Sequence, residues 1–284
     1  GRCLCRHRRI HQPQVGRVRI GVATITPAFV DTHCHLNAAE YAPDRDAVAA
    51  AAHAAGVTRI VVPAVERANF TVVEQYDRRY PGCRHALGIH PMYVDRAAEE
   101  DIVVLDAMLA RGGAVAVGEI GLDFFVDGHD ATRQAWFFVE QLRLARKYDL
   151  PVLLHIRRAQ DEVLKHLRRI AVPGGIAHAF NGSRQQADAF IRLGFRLGFG
   201  GALTYPRARR IREHAANLPM EAIVLETDGP DIPPEFAPRT RNDPANLPRI
   251  ATVLAELRGM ALDELALRTT SNALAVMPRL ALDS

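Results

Sequence analysis

The sequence predicts an α/β fold, a (β/α)8 TIM barrel of eight parallel strands that alternate with helices. Two observations predict it. Short apolar runs alternate with amphipathic stretches from residue 28 onward, and ionisable side chains recur just after the apolar runs. Such alternation indicates a parallel sheet, and eight units in about 250 residues suit a closed barrel. A doubly wound open sheet is the alternative, but no glycine-rich fingerprint follows any predicted strand.

The predicted strands are short, apolar and often β-branched, as expected of parallel strands that are buried on both faces. Eight runs fit this description: residues 28–32, 57–62, 85–89, 114–117, 151–154, 175–177, 195–199 and 222–225.

The helices are predicted from apolar residues that recur at spacings of three and four, as Ala135, Val139, Leu142 and Ala145 do. Glycines stand where several of these helices should end. Eight stretches are predicted to be helical: residues 46–55, 99–110, 131–148, 159–169, 183–193, 207–217, 244–257 and 262–277.

Charge and composition divide the 284-residue chain into a basic extension, residues 1–27, and one catalytic barrel domain, residues 28–284. The extension holds six arginines and no acid, and is predicted to be disordered. A transit peptide, a non-native start and a dispensable segment all remain open for it. The rest of the chain carries 30 basic and 32 acidic residues, so the net charge of +4 says little about the active site.

The cysteines and the hydropathy indicate a cytoplasmic protein. No apolar run approaches the ~18 residues of a membrane span, so no membrane partner is expected. The cysteines form no disulfide framework, which favours a reducing compartment. Two of them could bind a metal together with His7 and His11, but no second cysteine pair completes a zinc knuckle. The four cysteines are Cys3, Cys5, Cys34 and Cys83.

Ligand-type residues follow the predicted strands, and in a barrel these strand ends meet at one mouth, where active sites lie. His33 and His35 follow the first strand and are two apart, so on an extended chain they point the same way and can reach one cation. A lone His-x-His pair is weak evidence for a metal site. The evidence becomes strong because other predicted strand ends also carry ligand-type residues. Those ends carry His90, Glu119, His155, His178 and Asp228.

These residue types predict two divalent metal ions. Glu119 is suited to bridge both ions because a carboxylate offers two oxygens. His155 and His178 would supply nitrogens to the second ion, and Asp228 would hold the first and accept a proton from water. We therefore predict Glu119 and Asp228 as catalytic residues. Imidazole and carboxylate ligands without thiolate suit Zn, Mn, Fe, Co or Ni and tolerate Mg.

Four further residues are predicted to support the site. His90 would contact the substrate or its leaving group, and Arg157, two residues beyond His155, would hold an anionic group. Tyr205 lies on a loop predicted at the mouth. Asp31, just before the paired histidines, would orient one of them. Each could also be an ordinary surface or structural residue.

Five segments resemble the TatD family of metal-dependent hydrolases in order along the chain, and the stretch that begins Gly200-Gly-Ala-Leu-Thr-Tyr-Pro resembles its YjjV branch. The motifs are specific as a set. They are Phe29-Val-Asp-Thr-His-Cys-His-Leu, Gly88-Ile-His-Pro, Gly118-Glu-Ile-Gly-Leu-Asp, Leu150-Pro-Val-Leu-Leu-His-Ile-Arg and Glu226-Thr-Asp.

The resemblance implies a barrel of the amidohydrolase superfamily with a one- or two-metal centre that hydrolyses phosphoesters. It implies one ion on His33, His35, Glu119 and Asp228 and another on Glu119, His155 and His178, with no carboxylated lysine. Members of the family are described as deoxyribonucleases, some of them 3′-to-5′ exonucleases. Two features depart from the family: Ala179 and Asn181 stand where many members have Cys and Ser, and residues 1–27 have no counterpart.

The function predicted from the sequence is a deoxyribonuclease that cleaves phosphodiester bonds with metal-activated water. The near-neutral domain favours single-stranded DNA ends over a long duplex footprint, because affinity for duplex DNA needs many cationic phosphate contacts. We expect a monomer or a weak oligomer. A hydrolase of a small ester, lactone or amide is the main alternative, and a non-enzymatic binding protein with a basic arm is a further one.

Overall fold

The computed structural model describes residues 28–281, and over that range eight parallel strands form a TIM barrel. The predicted strand order and number are confirmed. The strands are β1 Phe29–Asp31, β2 Val57–Pro63, β3 Cys83–Ala86, β4 Val117–Asp123, β5 Val152–Arg157, β6 Gly175–Ala177, β7 Phe195–Phe199 and β8 Ile223–Leu225.

The barrel consists of two hydrogen-bonded sheets that meet at two seams. Strands β1 to β3 form one sheet and β4 to β8 form the other. At the seam between β3 and β4, Leu87 bridges Val117, and the backbone N–H groups of Val115 and Gly118 donate to the carbonyls of His85 and Leu87. Just beyond β1, Thr32 donates its backbone N–H to the carbonyl of Leu225 at 3.0 Å, which closes the barrel against β8.

Nine α-helices surround these strands in the part of the chain that the structure describes. They are α1 Arg45–Ala54, α2 Phe70–Arg79, α3 Glu100–Ala110, α4 Ala131–Lys147, α5 Gln160–Arg169, α6 Arg184–Arg192, α7 Arg209–Asn217, α8 Leu247–Arg258 and α9 Leu262–Val276. Local sequence explains several ends. Ser183 and Gln186 form a capping box at the start of α6, and Gly259 ends α8 in the left-handed conformation.

One helix, α2, was not among the predicted helices. It buries Phe70, Val73 and Tyr76, at spacings of three, while the residues between them are mostly polar or charged. This stripe is too narrow to stand out in a ten-residue segment, so the prediction missed it.

Strand boundaries also differ from the prediction: β3 was expected over 85–89 but runs over Cys83–Ala86, and two further differences affect the site. The fourth strand was expected over 114–117 but runs over Val117–Asp123, with all seven residues buried. The fifth continues to Arg157. Glu119 and His155 therefore lie within strands rather than after them. Gly118 and Gly121, on either side of Glu119, allow β4 to approach β5 closely.

The barrel interior is packed at the end opposite the mouth, the mouth being the end where the strands finish. Val30, Val61, Leu153, Ile176 and Val224, each from a different strand, pack together there. The chain after α9 covers this layer, with Met277 and Leu280 fully buried against it. Within residues 28–281, no helix is both long and apolar enough to cross a membrane. The basic extension lies outside the described residues.

Candidate metal centre

Seven ligand-type side chains meet at the mouth, and Glu119 is at their centre. The seven come from, or directly follow, six different strands, so the fold brings together residues that are up to 195 positions apart. The group consists of His33, His35, His90, Glu119, His155, His178 and Asp228, which are mostly buried.

One oxygen of Glu119 faces the residues that follow β1 and β8. Glu119 Oε2 lies 3.2 Å from Nε2 of His33 and 3.2 Å from Nε2 of His35. The two Nε2 atoms are 3.3 Å apart. Asp228 Oδ1 lies 3.6 Å from the His33 nitrogen and 3.8 Å from the His35 nitrogen. These atoms surround one position that a cation could occupy.

The other oxygen of Glu119 faces three more imidazoles. Glu119 Oε1 lies 2.8 Å from Nε2 of His178, 3.1 Å from Nδ1 of His155 and 3.4 Å from Nε2 of His90. His90 was predicted only to contact substrate, but its Nε2 belongs to this cluster. Its Nδ1 accepts a hydrogen bond from the backbone N–H of Met92, which leaves Nε2 directed at Glu119.

The donor atoms suit divalent cations. Three groups of three ligand atoms each lie within 4.8 Å of one another, and each group contains His33 or His90. Glu119 Oε2 is buried, yet it accepts no well-formed hydrogen bond from any residue between 28 and 281. A buried carboxylate oxygen without a partner is costly. A cation between Glu119, the imidazoles and Asp228 would remove that cost.

Asp123 is a functional residue that the sequence analysis missed. Its Oδ2 lies 3.0 Å from His155 Nε2, and its Oδ1 accepts the backbone N–H groups of Phe125 and Val126. A carboxylate on one imidazole nitrogen makes the other a lone-pair donor and fixes the ring. Asp123 thus orients His155 Nδ1 toward Glu119. It ends the Gly-Glu-Ile-Gly-Leu-Asp segment, which was the signal available for it.

Asp31 is placed differently from its predicted role. It was expected to orient a histidine ring, but its Oδ1 accepts the backbone N–H groups of His33 at 3.2 Å and Thr227 at 3.0 Å. Its Oδ2 accepts the Thr227 hydroxyl at 2.5 Å. Asp31 therefore joins the chain after β1 to the chain after β8. Burial raises its pKa to about 7.

Glu226 is a second buried carboxyl that the sequence analysis missed. Its Oε1 accepts the backbone N–H of Ala179, next to His178, at 2.5 Å. Its side chain fills the space beside Gly198, where a Cβ atom would lie 2.0 Å from Oε2. Burial raises the pKa of Glu226 to about 8. Its position in Glu226-Thr-Asp, two residues before Asp228, was the available signal.

Burial and mutual charge control protonation at the centre. Burial lowers the pKa of His33 to about 3 and that of His90 to about 4. Burial alone would raise the pKa of Glu119, but His90, His33 and His178 outweigh it and hold that pKa well below its usual range. Glu119 is therefore an anion among imidazoles, which is the state that binds metal.

The two remaining predicted residues lie away from this cluster. Arg157 is half-exposed at the rim, with Nη1 3.7 Å from Asp123 Oδ2 and its guanidinium 4.1 Å from the centre of the Phe125 ring. Tyr205 donates its hydroxyl to the carbonyl of Pro233 at 3.0 Å and lines a separate cavity on the mouth side. Whether either residue binds substrate stays a prediction.

Gly121 allows β4 and β5 to approach closely beside the centre. Its φ is +153°, and an added Cβ would lie 1.9 Å from the carbonyl oxygen of His155. We expect Gly121→Ala to lower the free energy of unfolding by about 1–3 kcal/mol or more, because the two strands would have to separate. Urea denaturation followed by circular dichroism measures this change.

Gly112→Ala is the matched control for that substitution. Gly112 also has a positive φ, +79°, but nothing lies within 4 Å of its added Cβ among the described residues. Equal losses of stability in the two variants would mean that backbone strain, and not the contact with β5, explains Gly121.

Comparisons with known proteins agree with this geometry. A family model described as TatD related DNase matches residues 30–278. The metal-dependent hydrolase YjjV of Escherichia coli K12 is 42% identical over 247 residues, which are 86% of this chain and 95% of that protein. The crystal structure of YjjV, 40% identical, superposes with a TM-score of 0.86 and covers 89% of this chain and 99% of that one.

A more distant relative carries a more specific name. The 3′-5′ ssDNA/RNA exonuclease TatD of Erwinia billingiae is 32% identical over 251 residues, covering 86% of this chain and 96% of that protein. The matches span the whole barrel and all the segments that form the centre. The chain therefore belongs to the TatD family and is a metal-dependent hydrolase.

Proposed function

We propose that this protein is a deoxyribonuclease that hydrolyses phosphodiester bonds at single-stranded DNA ends, with two divalent ions at the mouth of the barrel. The observation that carries the proposal is the position of Glu119, whose two oxygens face two separate sets of ligands. A carboxylate in that position is suited to bridge two ions, as in enzymes that clamp a phosphate between two metals.

The chain provides a complete ligand set for each ion. His33, His35 and Asp228 would hold one ion with Glu119 Oε2, and His155 and His178 would hold the other with Glu119 Oε1. His90 Nε2 is within reach of the second position or of a substrate oxygen. The ions, when bound, supply positive charge for the phosphate oxygens and a water of lowered pKa.

Asp228 is the best-placed proton acceptor in the cluster. Its carboxylate is on the edge nearest solvent, with the side chain 13% exposed, whereas that of Glu119 is 1% exposed. Burial raises the pKa of Asp228, although His178 and His35 oppose the shift, so this carboxylate holds a proton more readily than an ordinary aspartate. We propose that Asp228 takes the proton of the attacking water.

Exposed aromatic residues at the rim favour a single-stranded substrate. Phe124 and Phe125, directly after β4, are 38% and 46% exposed. The guanidinium groups of Arg157 and Arg158 lie 4.1 and 4.6 Å from the Phe125 ring centre. Exposed aromatic and arginine side chains stack on unpaired bases. The name of the Erwinia billingiae relative supports the same substrate class.

Hydrolysis of a 5′-labelled single-stranded oligonucleotide tests the proposal. Metal-stripped protein should be inactive, and Mg, Mn, Co or Zn should restore a ladder that shortens from the 3′ end. Duplex DNA and single-stranded RNA of the same sequence show whether the protein prefers single-stranded DNA. Protein shown to contain its metals, but unable to cleave any of these substrates, would contradict the nuclease proposal.

A small-molecule hydrolase is the second candidate, because activation of water does not select the bond that is attacked. The observation that permits a small-molecule substrate is the buried set of metal ligands, which would activate water for any hydrolysable bond. A screen of lactones, amides and phosphotriesters beside the oligonucleotide separates the two candidates. Turnover of a small substrate far faster than DNA would favour the second.

We also expect metal affinity to rise with pH. Burial lowers the pKa of His35, His155 and His178, but the facing carboxylates outweigh burial and raise all three, that of His178 to about 10. Near pH 7 the metal-free His178 therefore carries a proton that an ion must displace, and His35 and His155 hold their protons more readily than an ordinary histidine. Calorimetric titration with Mn²⁺ between pH 6 and 8 should show affinity rising by about tenfold per pH unit for each proton released.

Two variants locate this proton release. His178→Gln should flatten the pH dependence, while His53→Gln, at an exposed position on α1, should leave it unchanged. An affinity that stays constant between pH 6 and 8 in the unmodified protein would show that the cluster binds metal without losing protons.

A further inference from the structure

A second cavity opens on the mouth side of the barrel and takes no part in the metal centre. Its volume is about 580 Å³, within the range of small-ligand sites. Three loops form its wall: the one after β6, with Asn181; the one after β7, with Tyr205; and the one after β8, with Ile232. These loops follow the strands whose ends carry His178 and Asp228.

The wall of the cavity is strongly basic. Arg207, Arg209 and Arg210 line it, and no acidic residue does among those that the structure describes. All three arginines are exposed, and none forms an ion pair with a carboxylate between residues 28 and 281. This concentration of charge contrasts with the near-neutral barrel domain, where many arginines are paired with acids, as Arg241 is with Asp44. The cavity is therefore a place where an anion would be attracted.

Two contacts orient these arginines. Arg210 donates Nε and Nη2 to the side-chain oxygen of Asn181, at 3.1 and 2.8 Å. Asn181 is one of the two positions where this sequence departs from many TatD members, so the departure lies in the cavity wall. Arg207 lies 5.3 Å from the centre of the Tyr205 ring, and the Tyr205 hydroxyl is held by Pro233.

The start of helix α7 adds to the positive potential. The nine-residue helix begins at Arg209, in the cavity wall, and its first turn contains no acid. Its N-cap residue is Ala208, which makes no side-chain capping hydrogen bond within the described part of the chain. The positive end of the helix dipole therefore faces the same space as the arginines.

Chain connectivity keeps the cavity close to the metal centre. Asn181 is three residues after His178, a separation of at most about 11 Å between Cα atoms. Ile232 is four residues after Asp228, at most about 14 Å away. A polyanion that is bound at the centre can therefore extend into the cavity without bridging a long gap.

We propose that this cavity holds the phosphates of single-stranded DNA next to the bond that is cleaved, an inference that rests on the proposed nuclease function. The arginines bind the phosphate oxygens, and Tyr205 with Arg207 forms a surface for an unpaired base. The near-neutral domain then needs no extended basic face, because three exposed arginines line one cavity beside the centre.

Equilibrium binding of the metal-containing protein to a 5′-fluorescein-labelled phosphorothioate oligothymidylate of about 12 nucleotides, which keeps the phosphate charges but resists cleavage, tests the cavity. Fluorescence anisotropy compares an R207A/R209A double variant with an R78A/R146A double variant. Arg78 and Arg146 are exposed in the last turns of α2 and α4, at the opposite end of the barrel, and their removal changes the net charge equally. All proteins retain residues 1–27, so the difference reports the cavity.

The cavity variant should bind about tenfold more weakly at low salt, and the slope of log affinity against log salt should fall by about 1.4 for two lost phosphate contacts. The control should bind as the unmodified protein does. Equal affinities and slopes in the two double variants would overturn the proposal.

Hydrolysis of bis(p-nitrophenyl) phosphate, which is too small to reach both sites, separates this inference from the proposed function. R78A/R146A should cleave it at the unmodified rate, and R207A/R209A should raise the KM for the oligonucleotide by a larger factor than the KM for this small substrate. If no protein cleaves either substrate but the cavity variant alone binds DNA weakly, the nuclease proposal fails and the binding site stands. If cleavage is normal and binding unaffected, the cavity proposal fails alone.

Discussion

Glu119→Gln is expected to reduce kcat/KM by on the order of 10⁴-fold and to lower the metal content of the purified protein. The amide keeps the shape of the carboxylate but removes the charge that both sets of imidazoles face. The Oε1 and Oε2 positions lie within 3.4 Å of five histidine nitrogens, and the NH2 group would replace one of these oxygens with a hydrogen-bond donor that cannot bind a cation. Neither ion would keep its shared ligand.

Metal analysis and kinetics on the same protein sample measure both effects. Glu256→Gln, at an exposed position on α8, is the matched control and should retain both metal and activity. A Glu119→Gln protein that hydrolyses substrate at the normal rate would refute the bridging role and point to a contaminating nuclease.

Asp228→Asn is expected to reduce kcat by about 10³-fold while leaving KM within a few-fold of its original value. The reason is that an amide cannot accept the proton of the attacking water, whereas substrate phosphates are held elsewhere. The backbone should tolerate the change, because Asp228 has a φ of +56° and asparagine adopts left-handed conformations as readily as aspartate.

Metal content distinguishes this variant from Glu119→Gln. The ligands on the Oε1 side are untouched, so the Asp228→Asn protein should keep at least the ion that His155 and His178 would hold. Asp231→Asn, three residues further on and exposed, is the control and should behave as the unmodified protein. Normal kcat in Asp228→Asn would assign proton transfer to another group.

The barrel and its mouth could be predicted from sequence because each ligand stands in or beside an apolar run. His33, His155 and Asp228 were found in this way. Other features depend on three-dimensional packing. The pairing register of β4 shifts between Val117 and Ile120, and no local pattern reveals that shift.

The residues that support the site were harder to predict, because their contacts join parts of the chain that are distant in sequence. Asp123 lies in the segment between the predicted strand 114–117 and the predicted helix 131–148, and its contact is with His155, 32 positions away. The basic cavity combines three loops that are spread over more than 50 positions of the sequence, from Asn181 to Pro233. Their spacing in sequence carries no information that they share one wall.

The two seams of the barrel give the centre a mechanical role. His33, His35 and His90 follow strands of the β1–β3 sheet, whereas His155 lies in the β4–β8 sheet and His178 and Asp228 follow strands of it. Glu119 contacts side chains that come from both sheets, so bound ions would add cross-links to the backbone hydrogen bonds at the seams, such as Thr32 to Leu225 and Gly118 to Leu87. Loss of metal would then loosen the barrel at its seams before its core unfolds, and the amides of Thr32 and Gly118 would exchange with solvent sooner than those within either sheet. Metal supply would in this way govern how long the folded protein survives, as well as whether it is active.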